Sequence, residues 1–238
     1  MTDALVHLDR FYAILAKLDA LENQGVPLRE LSSKSGLPAR GVYFFREPGE
    51  YRSSSPLTPR IVRVGTHAVS IGAKATLWNR LRTHRGNRIG DGNHRSSVFR
   101  LHVGAALLAR NGESLPTWGR GASAPIEVRQ DTTTKADELA LEKSVSEYLG
   151  SMTVLWVEVP DEPGPKSDRA YIERNSIALL SNRLAPIDVV NGNWLGCSSP
   201  REEIRHSLLW NLNHVLESVD RQFLGQLEAA VERTISKS

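Results

Sequence analysis

Four side chains that can bind a metal ion, bind a phosphate or carry a proton occur in an ordered series along the chain. Tyr43 lies within the short β-branched and aromatic string Gly41-Val42-Tyr43-Phe44-Phe45, and Arg80 and His84 follow it. Because Arg80 and His84 are four residues apart, they project from the same face of a helix. Glu173 comes much later, on a second predicted helix. A carboxylate can hold Mg²⁺, a guanidinium suits a phosphate, and a tyrosine or histidine can relay a proton. Each residue alone is more often structural, and only their order favours a shared site.

The elements that must position these side chains are short strands alternating with helices. Apolar and β-branched runs predict the strands, and apolar residues three and four apart predict the helices. Prolines, a glycine and three consecutive serines predict a loop between the first two strands. The predicted elements are strands 41–45, 60–65 and 154–159, helices 75–84 and 170–180, and the loop 47–59.

The remaining segments surround this set. They are helices 3–23 and 135–148, a strand-like stretch 97–103, a glycine-rich loop 85–94 expected to be flexible, and irregular stretches 112–125 and 182–200. Residues 201–235 are predicted to form one long helix, because Leu209, Leu212, Leu216 and Phe223 follow a spacing of three and four. Its apolar face is expected to pack on the N-terminal helix of the same chain. A homodimer through the terminal helices is the second hypothesis.

The two strand strings Gly41-Val42-Tyr43 and Arg63-Val64-Gly65, followed by Arg80, His84 and Glu173, resemble the motifs of the GIY-YIG nuclease superfamily. The resemblance covers roughly residues 41 to 195. It implies an α/β fold with a small, mainly antiparallel three-stranded sheet flanked by helices, here with added N- and C-terminal helices. The expected division is an N-terminal helical segment 1–36, a nuclease domain with a long insertion 37–195, and a C-terminal helix 196–238.

The resemblance also implies roles for individual residues. Tyr43 is expected to act as the base and Glu173 to bind the metal, Mg²⁺ with Mn²⁺ as a possible substitute. Arg63 stands where the family has a tyrosine, and an arginine cannot act as a base at neutral pH. It could bind the phosphate directly, with His67 or Tyr51 in the vacated role. The complete expected catalytic set is Tyr43, Arg63, Arg80, His84, Glu173 and Asn182, with Asn191 and Asn193 as alternatives to Asn182.

A basic stretch follows the second strand. From Lys74 to Arg110 there are eight lysines and arginines against one acid, Asp91, although the whole chain carries a net charge of only +3. A local excess of cations suits a polyanion, because each phosphate contact releases condensed counterions. Double-stranded DNA is the expected partner. The expected nucleic-acid contacts are His67, Lys74, Arg82, Arg85, Arg88, His94 and Arg95.

Composition limits the other possibilities. A single cysteine, Cys197, excludes an internal disulfide framework and any zinc site built from several cysteines. No apolar run is long enough for a membrane span, and no leader-like segment is evident, so a cytoplasmic location without membrane contact is expected. The favoured function is a metal-dependent DNA endonuclease, and the family suggests restriction or genome defence. The alternatives are a catalytically inactive nucleic-acid-binding relative and a helix-mediated interaction protein.

Overall fold

A four-stranded antiparallel sheet forms the centre of the computed structural model, which describes residues 3–120, 123–184, 186–190 and 192–238. The strand order is β1-β4-β2-β3. The strands are β1 (Val26–Pro27), β2 (Gly41–Arg52), β3 (Ser55–Gly65) and β4 (Thr153–Glu158). The described α-helices are α1 (Asp3–Ala16), α2 (Leu77–Arg85), α3 (Val98–Asn111), α4 (Ile126–Gln130), α5 (Thr132–Ser151), α6 (Asp168–Leu180), α7 (Glu202–Ser207) and α8 (Phe223–Ile235). The predicted α/β class is confirmed, and the two-residue β1 adds a fourth strand to the expected three.

The helices lie on both faces of the sheet because the side chains of β2 alternate between two apolar clusters. Val42 and Phe44 belong to a cluster with residues of α1, α6 and α8. Tyr43 and Phe45 belong to a second cluster with residues of α2, α3 and α5. Burying both faces explains why the strand reads as a continuous apolar run.

The predicted loop 47–59 is wrong, because β2 and β3 form one long hairpin through most of this stretch. Its register shifts three times, between Phe45 and Arg46, between Arg46 and Tyr51, and between Tyr51 and Arg52. Prolines are tolerated in the irregular part of a pairing and on an edge strand, and β3 lies at the edge of this sheet. Turn-forming residues therefore did not indicate a loop here.

The strand register explains why glycine occurs at positions 41 and 65, one in each of the two motif strands. Tyr43 lies opposite Gly65 on β3 and opposite Trp156 on β4. A Cβ atom added to Gly65 would lie 2.2 Å from the Tyr43 hydroxyl oxygen, and one added to Gly41 would lie 2.3 Å from the Val157 carbonyl oxygen. Both positions therefore require glycine for close approach rather than for backbone flexibility.

The predicted strand-like stretch 97–103 is wrong, because it forms the start of α3. The Ser97 hydroxyl accepts a hydrogen bond from the Arg100 amide and caps the helix. Phe99, Val103 and Ala106 then bury one helical face. The apparent alternation reflected a helix that is buried on more than one side.

The predicted long helix 201–235 is also wrong, and so is the C-terminal helix expected over 196–238. Helix α7 ends at Ser207, and Leu208 adopts a left-handed conformation with φ 60°. The chain then pairs with the free edge of β3, where the Trp210 amide donates to the Val62 carbonyl oxygen at 2.8 Å. Pairing this edge outweighs the apolar helical periodicity.

This break removes the apolar helix face on which an interaction function would depend. Phe223 is buried in the core of the chain itself, whereas Leu216 is exposed. Helix α8 packs on α1, α6 and β4, as expected for a terminal helix within one chain. The homodimer hypothesis stays a prediction.

We expect Gly65→Ala to lower the free energy of unfolding by about 1–3 kcal/mol, because the new methyl group overlaps the Tyr43 side chain. Gly164→Ala is the matched control, since nothing lies within 4 Å of its added Cβ atom. The control should stay within about 0.5 kcal/mol of the unmodified protein. Urea unfolding curves measure both, and equal midpoints would contradict the close packing of Tyr43 on Gly65.

Candidate active site

A chain of hydrogen bonds joins the sheet to the two helices that follow it. The Tyr43 hydroxyl lies 2.9 Å from His84 Nε2, and His84 Nδ1 lies 2.8 Å from the Ser97 hydroxyl. Helix α2 presents His84 at this place because a capping box formed by Thr76 and Asn79 defines where the helix begins. The three side chains therefore form a continuous path for a proton.

His84 is a neutral imidazole inside the protein. Burial lowers its pKa well below the usual value, and the positive charges of Arg80, Arg63 and Arg100 lower it further. With one nitrogen protonated and the other not, the ring can accept a hydrogen bond from Tyr43 while donating to Ser97, or the reverse. A neutral imidazole between two hydroxyl groups can thus orient the Tyr43 hydroxyl through a hydrogen bond.

Arg63 is buried on the same face of the sheet. Its guanidinium donates to the Trp210 carbonyl oxygen and lies over the Phe99 ring, 4.5 Å from the centroid. Burial lowers its pKa, whereas Tyr43 opposes this shift, Arg80 adds to it and Glu173 opposes it. The substitution of arginine for tyrosine therefore places a cation beside the Tyr43 hydroxyl.

Arg80 brings a second guanidinium to this place. Its side chain is half-buried, and its Nε atom is buried without a hydrogen-bond partner among the described residues. The Arg63 Nε atom is in the same state. Neither guanidinium forms an ion pair within the described part of the chain. Two neighbouring cations with unused donors form a site that suits an anion such as a phosphate.

Glu173 supplies the carboxylate of the site from α6. It is half-buried, and its Oε1 atom accepts a hydrogen bond from the Thr66 amide at 3.1 Å. Burial raises its pKa, and this effect is opposed by Arg63, the Thr66 hydrogen bond, His214 and Arg80. Glu173 and Arg80 are the partly exposed groups of this set, so a ligand would reach the site from their side.

The side chains of the site suit a divalent cation that keeps most of its water ligands, rather than one enclosed entirely by protein ligands. No group of three or more histidine, cysteine or acidic side chains that could hold a metal occurs among the described residues. Mg²⁺ commonly keeps several waters and takes one or two protein carboxylates. Glu173 offers one carboxylate with one oxygen held by Thr66, which is compatible with such an ion.

Asn182 lies in a different environment from the polar site residues Tyr43, Arg63, Arg80, His84 and Glu173, which we call the Tyr43 cluster. Its Oδ1 atom accepts the amides of Ile187 and Asp188, both at 2.7 Å, so it holds a loop in place. Asn193 is engaged in contacts of its own, and Asn191 lies outside the described residues. Asn211 is instead next to the site, because its side chain forms two hydrogen bonds with the backbone of Val64.

The expected nucleic-acid contacts divide by exposure. Lys74, Arg82 and Arg88 are exposed, and Arg85 is half-buried. Arg95 is paired with Glu138. Two histidines face inward: His67 lies 3.1 Å from the Ala39 carbonyl oxygen, and His94 binds Glu142 and stacks on Trp118. The exposed cations and Arg85 are therefore the members of the set placed to meet a ligand.

Sequence reasoning missed several residues that support the site. Ser97 was hidden by the incorrect strand prediction, and Trp210 and Asn211 by the incorrect long helix. His214 was not among the expected site residues, although its charge helps to lower the pKa of Glu173 and its backbone is left-handed with φ 66°. A serine before an amphipathic run is a known helix-start signal and could have identified Ser97.

We expect acid to destabilise the fold through buried histidines. Burial lowers the pKa of His67 and of His102 to about 4, whereas an unfolded histidine titrates near 6.5. The unfolded chain therefore binds protons first, so this contribution to stability is complete above about pH 6.5 and is lost as the pH falls towards about 4. Each shifted histidine contributes up to about 1.4 kcal/mol per pH unit.

Urea unfolding of His102→Gln measures this contribution, because Gln cannot titrate. The difference in stability between about pH 7 and about pH 5 should be smaller in His102→Gln than in the unmodified protein. His206→Gln, at an exposed position, should leave the difference unchanged. An unchanged pH dependence in His102→Gln would contradict the lowered pKa.

No helix among the described residues is both long and apolar enough to cross a membrane.

Comparison with known proteins identifies the family. No curated protein and no solved structure matches the chain. The model of the GIY-YIG domain matches residues 2–237, which is nearly the whole chain. Because this match covers nearly the whole chain, the chain belongs to the GIY-YIG domain family.

Proposed function

We propose that this protein is a metal-dependent endonuclease that hydrolyses phosphodiester bonds in DNA. The GIY-YIG family suggests a nuclease. The observation that carries the proposal is the Tyr43–His84–Ser97 hydrogen-bond chain beside a half-buried carboxylate and two guanidinium groups whose Nε atoms have no hydrogen-bond partner among the described residues. This combination offers a proton path, a cation ligand and an anion site within one region.

Tyr43 is assigned to proton transfer and His84 to positioning it. When His84 Nδ1 accepts a hydrogen bond from Ser97, the Nε2–H group donates to the Tyr43 oxygen and can hold a deprotonated Tyr43 in place. In that form Tyr43 can remove a proton from the attacking water.

Arg63 and Arg80 are assigned to the phosphate. The half-buried Arg80 offers charge-assisted hydrogen bonds to the phosphoryl oxygens, where negative charge accumulates in the transition state, and the buried Arg63 guanidinium adds its charge close by. The apolar surroundings of Arg63 strengthen this interaction, since a low local dielectric screens charges less than water does.

Glu173 is assigned to the metal. A bound Mg²⁺ would supply Lewis-acid stabilisation of the leaving oxygen. The carboxylate also lies among cations, so without an added positive ion it serves as their counter-charge. Its replacement should therefore affect both metal dependence and the positions of the two arginines.

We expect Glu173→Gln to reduce cleavage at least about 100-fold, because the amide cannot replace an anionic metal ligand. The measurement is nicking of plasmid and genomic DNA with Mg²⁺, with Mn²⁺ and with EDTA. Glu113→Gln, at an exposed position outside the site, is the matched control and should cleave normally. Metal-independent cleavage, or full activity of Glu173→Gln, would contradict the assignment.

The second candidate function is an inactive relative that binds nucleic acid without cleaving it. The observation in its favour is Arg63 in place of the tyrosine. The two hypotheses differ in what restoring the tyrosine should do.

If Arg63 binds the phosphate, Arg63→Tyr should lower cleavage about 10- to 100-fold, the effect of losing one charge-assisted hydrogen bond. Arg63→Lys keeps the charge without the planar fork, so its cleavage rate should lie between those of the unmodified protein and Arg63→Tyr. Thermal unfolding checks that the variants are folded. Cleavage that appears or rises only in Arg63→Tyr would support the inactive relative instead.

A further inference from the structure

The loop that follows α2, residues 86–93, is held in one shape by its own hydrogen bonds. The Asn87 amide donates to the Asp91 carbonyl oxygen at 2.8 Å. The Asn87 Oδ1 atom accepts the amides of Ile89 at 3.0 Å and Asp91 at 2.9 Å. These bonds close the glycine-rich segment into a narrow turn.

A buried arginine supports the loop from below. Arg100 donates to the Glu142 carboxylate, to Ser146 and, at 2.9 Å, to the His84 carbonyl oxygen. A Cβ atom added to Gly92 would lie 1.9 Å from the Arg100 guanidinium. The base of the loop therefore rests directly on Arg100, which also holds the backbone of His84. The loop has a defined position relative to the candidate active site.

The tip of the loop is apolar and its flanks are cationic. Ile89 is 74% exposed. One flank forms a concavity of about 540 Å³ whose charged lining is Arg82, Arg85, Arg88 and Asp91. Burial lowers the pKa of Arg85, and the charges of Arg88 and Arg82 lower it further, so these cations lie close together.

A second concavity of about 650 Å³ beside the loop shares Arg85 and Arg88 with the first. Its further charged lining is Arg29 and Lys143, with Glu30 and Glu147. An apolar tip with cations on both sides is complementary to a surface that has two anionic walls and a less polar floor.

The minor groove of duplex DNA has this character. Its phosphate backbones form the two walls, and at about 6 Å wide it admits a narrow turn, whereas the major groove admits a whole helix. Isoleucine is among the apolar residues that proteins insert between base steps from this groove. Cations beside such a wedge neutralise the phosphates on either side.

We propose that the loop 86–93 enters the minor groove of duplex DNA, with Ile89 inserted between base steps and the flanking cations on the two phosphate backbones. The inference rests on the proposed function for the identity of the ligand. It adds a DNA-positioning element outside the Tyr43 cluster and gives the exposed isoleucine a role.

Fluorescence anisotropy in EDTA tests binding without cleavage. The probe is a short B-form duplex with TA steps that contains 2-aminopurine, whose fluorescence rises when bases unstack. We expect Ile89→Ala to bind about tenfold more weakly and to lose the fluorescence rise, because apolar contact with the bases is removed. Its affinity should keep the same dependence on salt, because no phosphate contact changes.

Two further variants separate the apolar and the ionic contributions. Leu57→Ala, at a leucine that is 92% exposed on β3, is the matched control and should bind like the unmodified protein. Arg88→Ala should lower the slope of log affinity against log salt by about 1, because one phosphate contact is lost.

The outcomes distinguish this inference from the proposed function. If the unmodified protein binds the duplex and Ile89→Ala binds equally well, the wedge is overturned and the nuclease proposal is untouched. If duplex RNA shows the same loss in Ile89→Ala, the minor-groove assignment is overturned, because the RNA minor groove is wide and shallow. If Ile89→Ala shows the loss but the unmodified protein cleaves no DNA, the wedge stands and the nuclease proposal fails.

Discussion

A guanidinium buried beside a second guanidinium is the constraint on which this structure depends. Burying the Arg63 charge is costly unless other groups compensate for it. The compensation comes from three parts of the chain: the Trp210 carbonyl, the Phe99 ring and the charge of Glu173. For these groups to reach Arg63, the C-terminal segment must pair with the edge of β3, and α6 must bring the Glu173 carboxylate to the sheet. The contacts that compensate for the Arg63 charge therefore also hold the C-terminal segment and α6 against the sheet.

Trp210 links the C-terminal segment to β3, to Arg63 and to Glu47. Its amide pairs with β3, its carbonyl accepts from Arg63, and its indole nitrogen donates to Glu47 at 3.3 Å. Glu47, whose pKa is raised by burial, also receives hydrogen bonds from Tyr148 and Trp194. The edge strand is thereby covered, and an edge that would otherwise be open to pairing with another chain is closed.

Local signals were sufficient where one element carries its own pattern. The strand around Tyr43, the strand 154–159 and the helix behind Glu173 were predicted because their apolar runs and caps lie within a few residues. The predictions failed over 47–59, 97–103 and 201–235. The first stretch pairs with its own neighbours as a hairpin, and the second is a helix buried on more than one side. Only in the third did a distant partner, the edge of β3, override the local preference.

The sequence by itself determined which residues can do chemistry and in what order they occur. The spacing of Arg80 and His84 defines one helical face, and the two strand strings with Glu173 indicate the family. Only the tertiary structure decided the partners: Ser97 behind His84, Thr66 on Glu173, and the Trp210 carbonyl on Arg63. Such contacts join positions far apart in the chain. Whether they form depends on packing and on the cost of leaving buried polar groups unpaired, which no local pattern encodes.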